Sequence, residues 1–119
     1  MAPSSPLLEE ARRQLDTYFD GRLKVFDLSL HPPGSAFQRA VWGQMLRIPY
    51  GRTRTYGDIA DALMSAPRAV GGACGRNPIP IIVPCHRVVG ADGRMTGYSG
   101  GQGIETKIQL LRLEGCLIA

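Results

Sequence analysis

Three side chains capable of chemistry stand in direct succession in this chain: Cys85, His86 and Arg87. They follow the apolar run Ile79-Pro80-Ile81-Ile82-Val83-Pro84, whose β-branched composition predicts a buried strand ending at the thiol. Ending such a run in a thiol, an imidazole and a guanidinium costs free energy unless those groups act there. The chemistry they offer is nucleophilic: a thiolate attacks, a histidine takes its proton, and an acid orients the imidazole. Neighbours in an extended chain point to opposite faces, so Cys85 and His86 cooperate only through a turn after Pro84 or through a bridging water. The 10 Asp and Glu residues offer the acid, Glu114 among them, and spacing alone does not choose one. The plain alternative is packing, since free cysteine is among the most buried residue types.

The elements that must position these groups can be read outward from them. Pro6 with Leu7, Leu8, Ala11, Leu15, Tyr18 and Phe19 predicts an amphipathic helix capped by Ser5 and stopped at Gly21. Arg22–Leu30 alternates and predicts an extended segment, and His31-Pro32-Pro33-Gly34 is a stiff connector. Ser35 and Gln38 have capping-box spacing before a helix through Ile48, and Pro49-Tyr50-Gly51 ends it in a turn. Thr55 and Asp58 repeat that signature before a helix carrying Tyr56, Ile59, Ala60, Leu63 and Met64. After the break at Ser65-Ala66-Pro67 a second short helix begins, which together make a helix-turn-helix pattern. That second helix holds Gly71, Gly72 and Gly75, each costing about 1 kcal/mol relative to Ala in a helix interior. Close approach to another surface accounts for them; tight packing inside the core is the competing account. Ala91-Asp92-Gly93 reads as a turn, Thr96–Gly101 as a flexible loop of small residues, and Ile104 to Leu111 as a last helix stopped by Gly115. Glu114 falls at the negative end of that helix, a costly place for a carboxylate.

At 119 residues and 44% hydrophobic composition the chain is one soluble domain with a modest core. No apolar run approaches the roughly 20 residues of a membrane span, and no signal peptide opens it. Cys74, Cys85 and Cys116 form no CxxC pair, and with only His31 and His86 beside them no metal site is expected. An intracellular, reducing location follows. Of 14 basic residues only Lys24 and Lys107 are lysine, a bias that suits phosphate and base contacts or simply a GC-rich genome.

Pro84-Cys85-His86-Arg87-Val88 resembles the active-site signature of the O6-alkylguanine-DNA alkyltransferases. Phe37-Gln38, Ile48-Pro49-Tyr50-Gly51, Thr55-Tyr56, Arg68-Ala69-Val70-Gly71, Gly75-Arg76-Asn77-Pro78, Gly97–Gly101, Lys107 and Glu114-Gly115 agree with it in register. The resemblance implies a mainly α fold with short strands, a helix-turn-helix (winged-helix-like) alkyltransferase domain over residues 35–119. Residues 1–34 then resemble the last helix and connector of the family's N-terminal domain. It implies that Cys85 accepts an alkyl group from O6 of guanine, with O4 of thymine as a further candidate donor, and that His86 is a water-linked base polarised by Glu114. Asn77 would brace the site, Tyr56 would donate toward guanine N3, and Lys107 would help the leaving oxygen. Pro80, Val88, Tyr98 and Ser99 would line the base pocket. The target base must leave the duplex; Arg68 would fill its place while Ala69, Gly71, Gly72 and Arg76 meet the minor groove, with Tyr56 beside the phosphate. The thioether product has no activated carbonyl for water to attack, so each molecule acts once, with no cofactor, as a cytoplasmic or nucleoid monomer on double-stranded DNA. Three rivals are a lesion-binding relative that does not transfer, a helix-turn-helix regulator, and a Cys-His hydrolase, which would turn over.

Overall fold

Polar side chains cap the starts of two helices, and left-handed residues close the ends of three. In the computed structural model, which describes residues 6–28, 31–95 and 103–116, the chain is mainly helical. The helices are α1 (Pro6–Phe19), α2 (Ala36–Leu46), α3 (Tyr56–Ala62), α4 (Pro67–Gly75) and α5 (Ile104–Leu113). Two two-residue strands, β1 (Arg54–Thr55) and β2 (Val88–Val89), pair in parallel, Arg54 opposite Val88 and Thr55 opposite Val89. Both expected capping boxes form: Ser35 and Gln38 cap α2, and Thr55 and Asp58 cap α3, each side chain accepting the other residue's backbone N–H. Among the described residues no helix is long and apolar enough to cross a membrane.

Three helices end alike. After α1, Gly21 (φ 78°) donates to Tyr18 O at 2.9 Å and Arg22 to Thr17 O at 3.1 Å. After α5, Gly115 (φ 79°) donates to Arg112 O at 3.0 Å and Cys116 to Leu111 O at 2.8 Å. After α3, Met64 (φ 54°) donates to Asp61 O at 3.3 Å and Ser65 to Ala60 O at 2.8 Å. All three are Schellman closures, which satisfy the last free carbonyls and require a left-handed residue. Met64 therefore stands outside α3, on a turn, and is not on the apolar face that its spacing predicts.

The chain divides into two compact units, Met1–His31 and Pro32–Ala119. In the first, the Tyr18 ring packs on Phe19 and Phe26, both at 5.4 Å between centroids. The alternation expected over Arg22–Leu30 gives no strand across residues 22–28. Instead the Gln14 amide takes both sides of the Asp27 peptide, donating to its O at 2.9 Å and accepting from its N–H at 2.8 Å. One side chain thus does locally what a partner strand would do. Ser5, Ser29 and Leu30 lie outside the described residues.

In the second unit, Val41, Trp42 and Met45 of α2, Ile59 and Ala60 of α3, and Val70, Ala73 and Cys74 of α4 share one core with Val83, Cys85 and Val88. The Trp42 indole N–H donates to Ala73 O at 2.9 Å and fixes α2 on α4. Against expectation, Ile79–Val83 is not a buried strand. Val83 N–H closes back on Ile79 O at 3.0 Å, Ile81 takes φ 77°, and the side chains through Ile82 are only half-buried. Pro80 and Pro84 have no N–H to give a ladder, so the segment coils instead of pairing. A single 3₁₀ turn over Cys85–Arg87 follows, and strand pairing begins only at Val88.

Candidate active site

The 3₁₀ turn disposes of the obstacle posed by adjacent Cys85 and His86. At three residues per turn, successive side chains diverge by about 120°. Cys85 turns into the core between α2, α3 and α4, while His86 and Arg87 reach the C-terminal end of α5. All three are buried.

Glu114, the C-terminal cap of α5, receives them. His86 Nε2 lies 2.7 Å from Glu114 Oε2. Arg87 grips the same carboxylate with two nitrogens, Nε to Oε1 at 2.8 Å and Nη2 to Oε2 at 3.0 Å, and its Nη1 donates to Ile48 O at 2.8 Å. The Gly51 N–H adds a weaker bond to Oε1 at 3.2 Å. Gly51 sits at φ 80°, and a Cβ there would come within 3.2 Å of Glu114 O. Tyr50 completes the corner, its hydroxyl donating to Leu113 O at 3.2 Å and its ring centroid 5.7 Å from the Arg87 guanidinium. A carboxylate at the negative end of a helix thus gains charge-assisted partners that outweigh the helix dipole.

A carboxylate only accepts, so His86 Nε2 carries the proton between them and Nδ1 presents a lone pair. Nδ1 is buried and has no hydrogen-bond partner among the described residues. Burial pushes the His86 pKa below 6.5, Glu114 opposes, and the Arg87 and Lys107 charges add to the fall. The ring is therefore neutral near pH 7 and able to accept at Nδ1.

On the other side, burial raises the Cys85 thiol pKa above 9.0, while a hydrogen bond from the Asn77 side chain and the Lys107 charge pull it back. Burial wins, so the resting group is a thiol. Asn77 is itself braced: its amide donates to Val83 O at 2.8 Å, its Oδ1 accepts from Ile79 N–H at 3.0 Å, and its N–H reaches Cys74 O at 3.2 Å. Lys107 of α5 is fully buried; burial lowers its pKa, with Cys85 and Cys74 opposing. Its Nζ lies 5.7 Å from the centroid of the Tyr56 ring, at the start of α3. Cys74 is a second buried thiol, pushed up to about 12 chiefly by burial.

The remaining expected residues separate into two places. Arg68, Ala69, Gly72 and Arg76 lie along α4 and its C-terminal cap, with Arg68, Ala69 and Arg76 exposed and Gly71 half-buried, while Val70, Ala73 and Cys74 form the inward face. A Cβ built at Gly71, Gly72 or Gly75 meets nothing within 4 Å. Packing against the described residues is thereby removed as the reason for these glycines. Pro80 is half-buried in the turn bridged to Val83, and Val88 is buried in β2. Tyr98 and Ser99, with the loop Thr96–Gly101, lie outside the described residues. No cluster of three or more His, Cys, Asp or Glu that could hold a metal occurs among the described residues.

Sequence reasoning singles out Arg87 beside Cys85 and His86 but gives it no partner, and it misses Gly51 and the Ile48 carbonyl as parts of the site. Composition alone groups Arg87 with the basic residues that face nucleic acid. Its one signal is position: a guanidinium set between Val83-Pro84 and Val88-Val89 is flanked by residues that belong in a core, and a buried Arg needs an acid.

Residues 36–116 match the family model for the 6-O-methylguanine DNA methyltransferase, DNA binding domain. The chain is 56% identical over 108 residues to the methylated-DNA–protein-cysteine methyltransferase of Methanosarcina acetivorans, covering 89% of this chain and 68% of that one. Its backbone matches Mycobacterium tuberculosis OGT, solved in complex with DNA, with a TM-score of 0.85 and 55% identity, over 89% of this chain and 66% of that one. S. pombe Atl1, solved with damaged DNA containing O6-carboxymethylguanine, matches with a TM-score of 0.59 and 30% identity over 71% of this chain and 80% of that one. The chain thus spans about two thirds of the length of the alkyltransferases it matches.

Proposed function

The chain belongs to the 6-O-methylguanine DNA methyltransferase family, and from that premise we propose that it repairs DNA by moving one alkyl group from O6 of guanine to Cys85. The observation that carries this reading is the split turn: a buried thiol on one side of it, and on the other a neutral histidine held by Glu114 and Arg87. His86 Nδ1, through a water, takes the thiol proton, and the imidazolium so formed leans on Glu114. The thiolate attacks the alkyl carbon, a C–S bond forms, and the C–O6 electron pair leaves with guanine. Tyr56 and Lys107 hydrogen-bond the departing base and one of them gives it a proton. The proton held on the His86 imidazolium then returns through solvent to that donor, so the thiol proton ends on guanine. Asn77 holds the thiol toward the carbon and keeps the Ile79–Val83 turn folded around it.

Duplex DNA is the partner, and α4 is the element that meets it. Two of its open glycines, Gly71 and Gly72, let the helix backbone approach the floor of a minor groove, where a bulkier helix would not enter. Arg68, near its start, fills the space of the flipped base, and Arg76, at its end, contacts phosphate. Pro80 and Val88 line the pocket for the extruded guanine. Ahead of this domain in the sequence stands the helix Pro6–Phe19, in a compact unit of its own.

The test follows the methyl group itself. A duplex containing O6-methylguanine labelled on the methyl carbon is mixed with excess protein, and label is counted on protein, DNA and small molecules. Transfer predicts label on the protein and none on the DNA. Label that stays on tightly bound DNA supports a lesion-binding protein without transfer. Label released as methanol supports hydrolysis, which contradicts the proposal.

A further inference from the structure

Three helix ends share the Schellman closure, and two of them use glycine at the left-handed position while the third uses Met64. A residue with a Cβ is strained there by roughly 1 kcal/mol compared with glycine. The side chain recovers nothing from the fold, because Met64 is 95% exposed, the most exposed of the large hydrophobic residues described. Two costs therefore coincide, a strained backbone and a long apolar side chain in water, with no burial among the described residues to offset either. Strain kept without structural return points to function. The place supports that inference: Met64 sits on the turn between α3 and α4, three residues before Pro67 opens α4 and four before Arg68.

We infer that Met64 is a second reading point on the duplex, an apolar contact that packs on deoxyribose C–H surface beside the groove entered by α4. The inference rests on the proposed DNA-repair function and extends its binding surface from α4 to the preceding turn. A flexible thioether suits the task, because it conforms to any sugar surface and demands no base sequence. Methionine is also among the apolar side chains that minor-groove proteins apply to DNA. The exposed basic residues of the neighbouring helix, Arg68 and Arg76, identify the occupant as an anionic polymer, and Met64 supplies what they lack, a contact that owes nothing to charge.

That difference makes the test. Asparagine tolerates the left-handed position, so Met64→Asn keeps the closure while removing the apolar arm. Binding to a duplex carrying O6-methylguanine is measured across a salt series for the wild type, Met64→Asn, Met64→Leu and Arg76→Ala. Met64→Asn is expected to weaken binding about tenfold at every salt concentration with an unchanged salt slope, and Met64→Leu to restore most of it. Arg76→Ala is expected to reduce the slope by about one. Transfer from free O6-methylguanine base, which needs no duplex, stays at the wild-type rate in Met64→Asn, and its melting temperature does not fall. Wild-type affinity in Met64→Asn overturns the inference, as does a loss accompanied by a reduced slope. Failure of the wild-type protein to bind duplex at all contradicts the proposed function itself, a result distinct from either.

Discussion

Arg87 and Glu114 meet as a buried two-point ion pair, Nε on Oε1 at 2.8 Å and Nη2 on Oε2 at 3.0 Å, although 27 residues separate them in sequence. His86 shares Oε2 at 2.7 Å, so one carboxylate serves two cationic partners once the imidazole is protonated. The pair fixes the carboxylate that orients the imidazole, and it also tempers the base: the Arg87 charge works against a second positive charge on His86. The first prediction follows from that double role.

Arg87→Met leaves a buried carboxylate with His86 as its main partner. Breaking a buried pair from one side typically costs about 3–5 kcal/mol, which urea unfolding should register. The double change Arg87→Met with Glu114→Gln should cost clearly less, because no charge is stranded. In Arg87→Met the His86 pKa should rise, read by NMR titration of the ring. An unchanged His86 pKa would contradict the assigned geometry.

The second prediction concerns acid. The folded His86 pKa lies below its ordinary 6.5, so the unfolded chain takes up that proton first as pH falls. The stability held by keeping the ring neutral is whole above about pH 6.5 and is lost progressively below it, toward the lowered folded value. His86→Gln should flatten the acid limb of melting temperature against pH, and parallel limbs would contradict the account. Cys74 and Cys85, both raised above 9.0, act at the other end: their contribution is present below about pH 9 and lost as pH climbs through their raised values.

Much of this arrangement was legible in the sequence where one residue decides the outcome locally. Ser35 with Gln38, and Thr55 with Asp58, each close a capping box within three residues, and both boxes form. The helix around Trp42 and the stop at Gly115 follow from spacing and from glycine's freedom at positive φ. What failed depended on partners distant in sequence or on competing local bonds. The apolar composition of Ile79–Val83 could not reveal that Pro80 and Asn77 fold it into a turn. Nor could the Arg87 side chain be assigned to Glu114 before α5 was placed. Gln14, which replaces a partner strand at Asp27, gave no periodic signal at all.

Glycine supplies the third prediction. At Gly71 and Gly72 an added methyl meets nothing within 4 Å among the described residues, so Gly→Ala at each should raise stability by about 0.5–1 kcal/mol through helix propensity alone. The same changes should weaken duplex binding. Thermal melts and fluorescence anisotropy on one set of variants measure both, and an affinity that rises with stability would contradict the minor-groove role proposed for α4.

Gly34 supplies the fourth, with Gly43 as its control. A Cβ at Gly34 would stand 2.7 Å from the Trp42 ring and 2.9 Å from Gln38 Oε1, within the capping box of α2, whereas at Gly43 nothing lies within 4 Å. Gly34→Ala should destabilise by about 1–3 kcal/mol as the indole is pushed off its bond to Ala73 O. Gly43→Ala, inside α2, should stabilise by up to about 1 kcal/mol. Quenched or shifted Trp42 fluorescence in Gly34→Ala alone would show that the two sites differ for the stated reason.

The central claim is that Cys85 takes the alkyl group and keeps it. Protein is titrated with excess duplex containing O6-methylguanine, repaired guanine is counted, and the protein is digested for peptide masses. The account predicts that repair stops at one guanine per protein molecule, that a single methyl appears on the peptide containing Cys85, and that Cys85→Ser abolishes both. Repair that continues past one equivalent, or a methyl found on the Cys74 or Cys116 peptide with Cys85 unmodified, would contradict it.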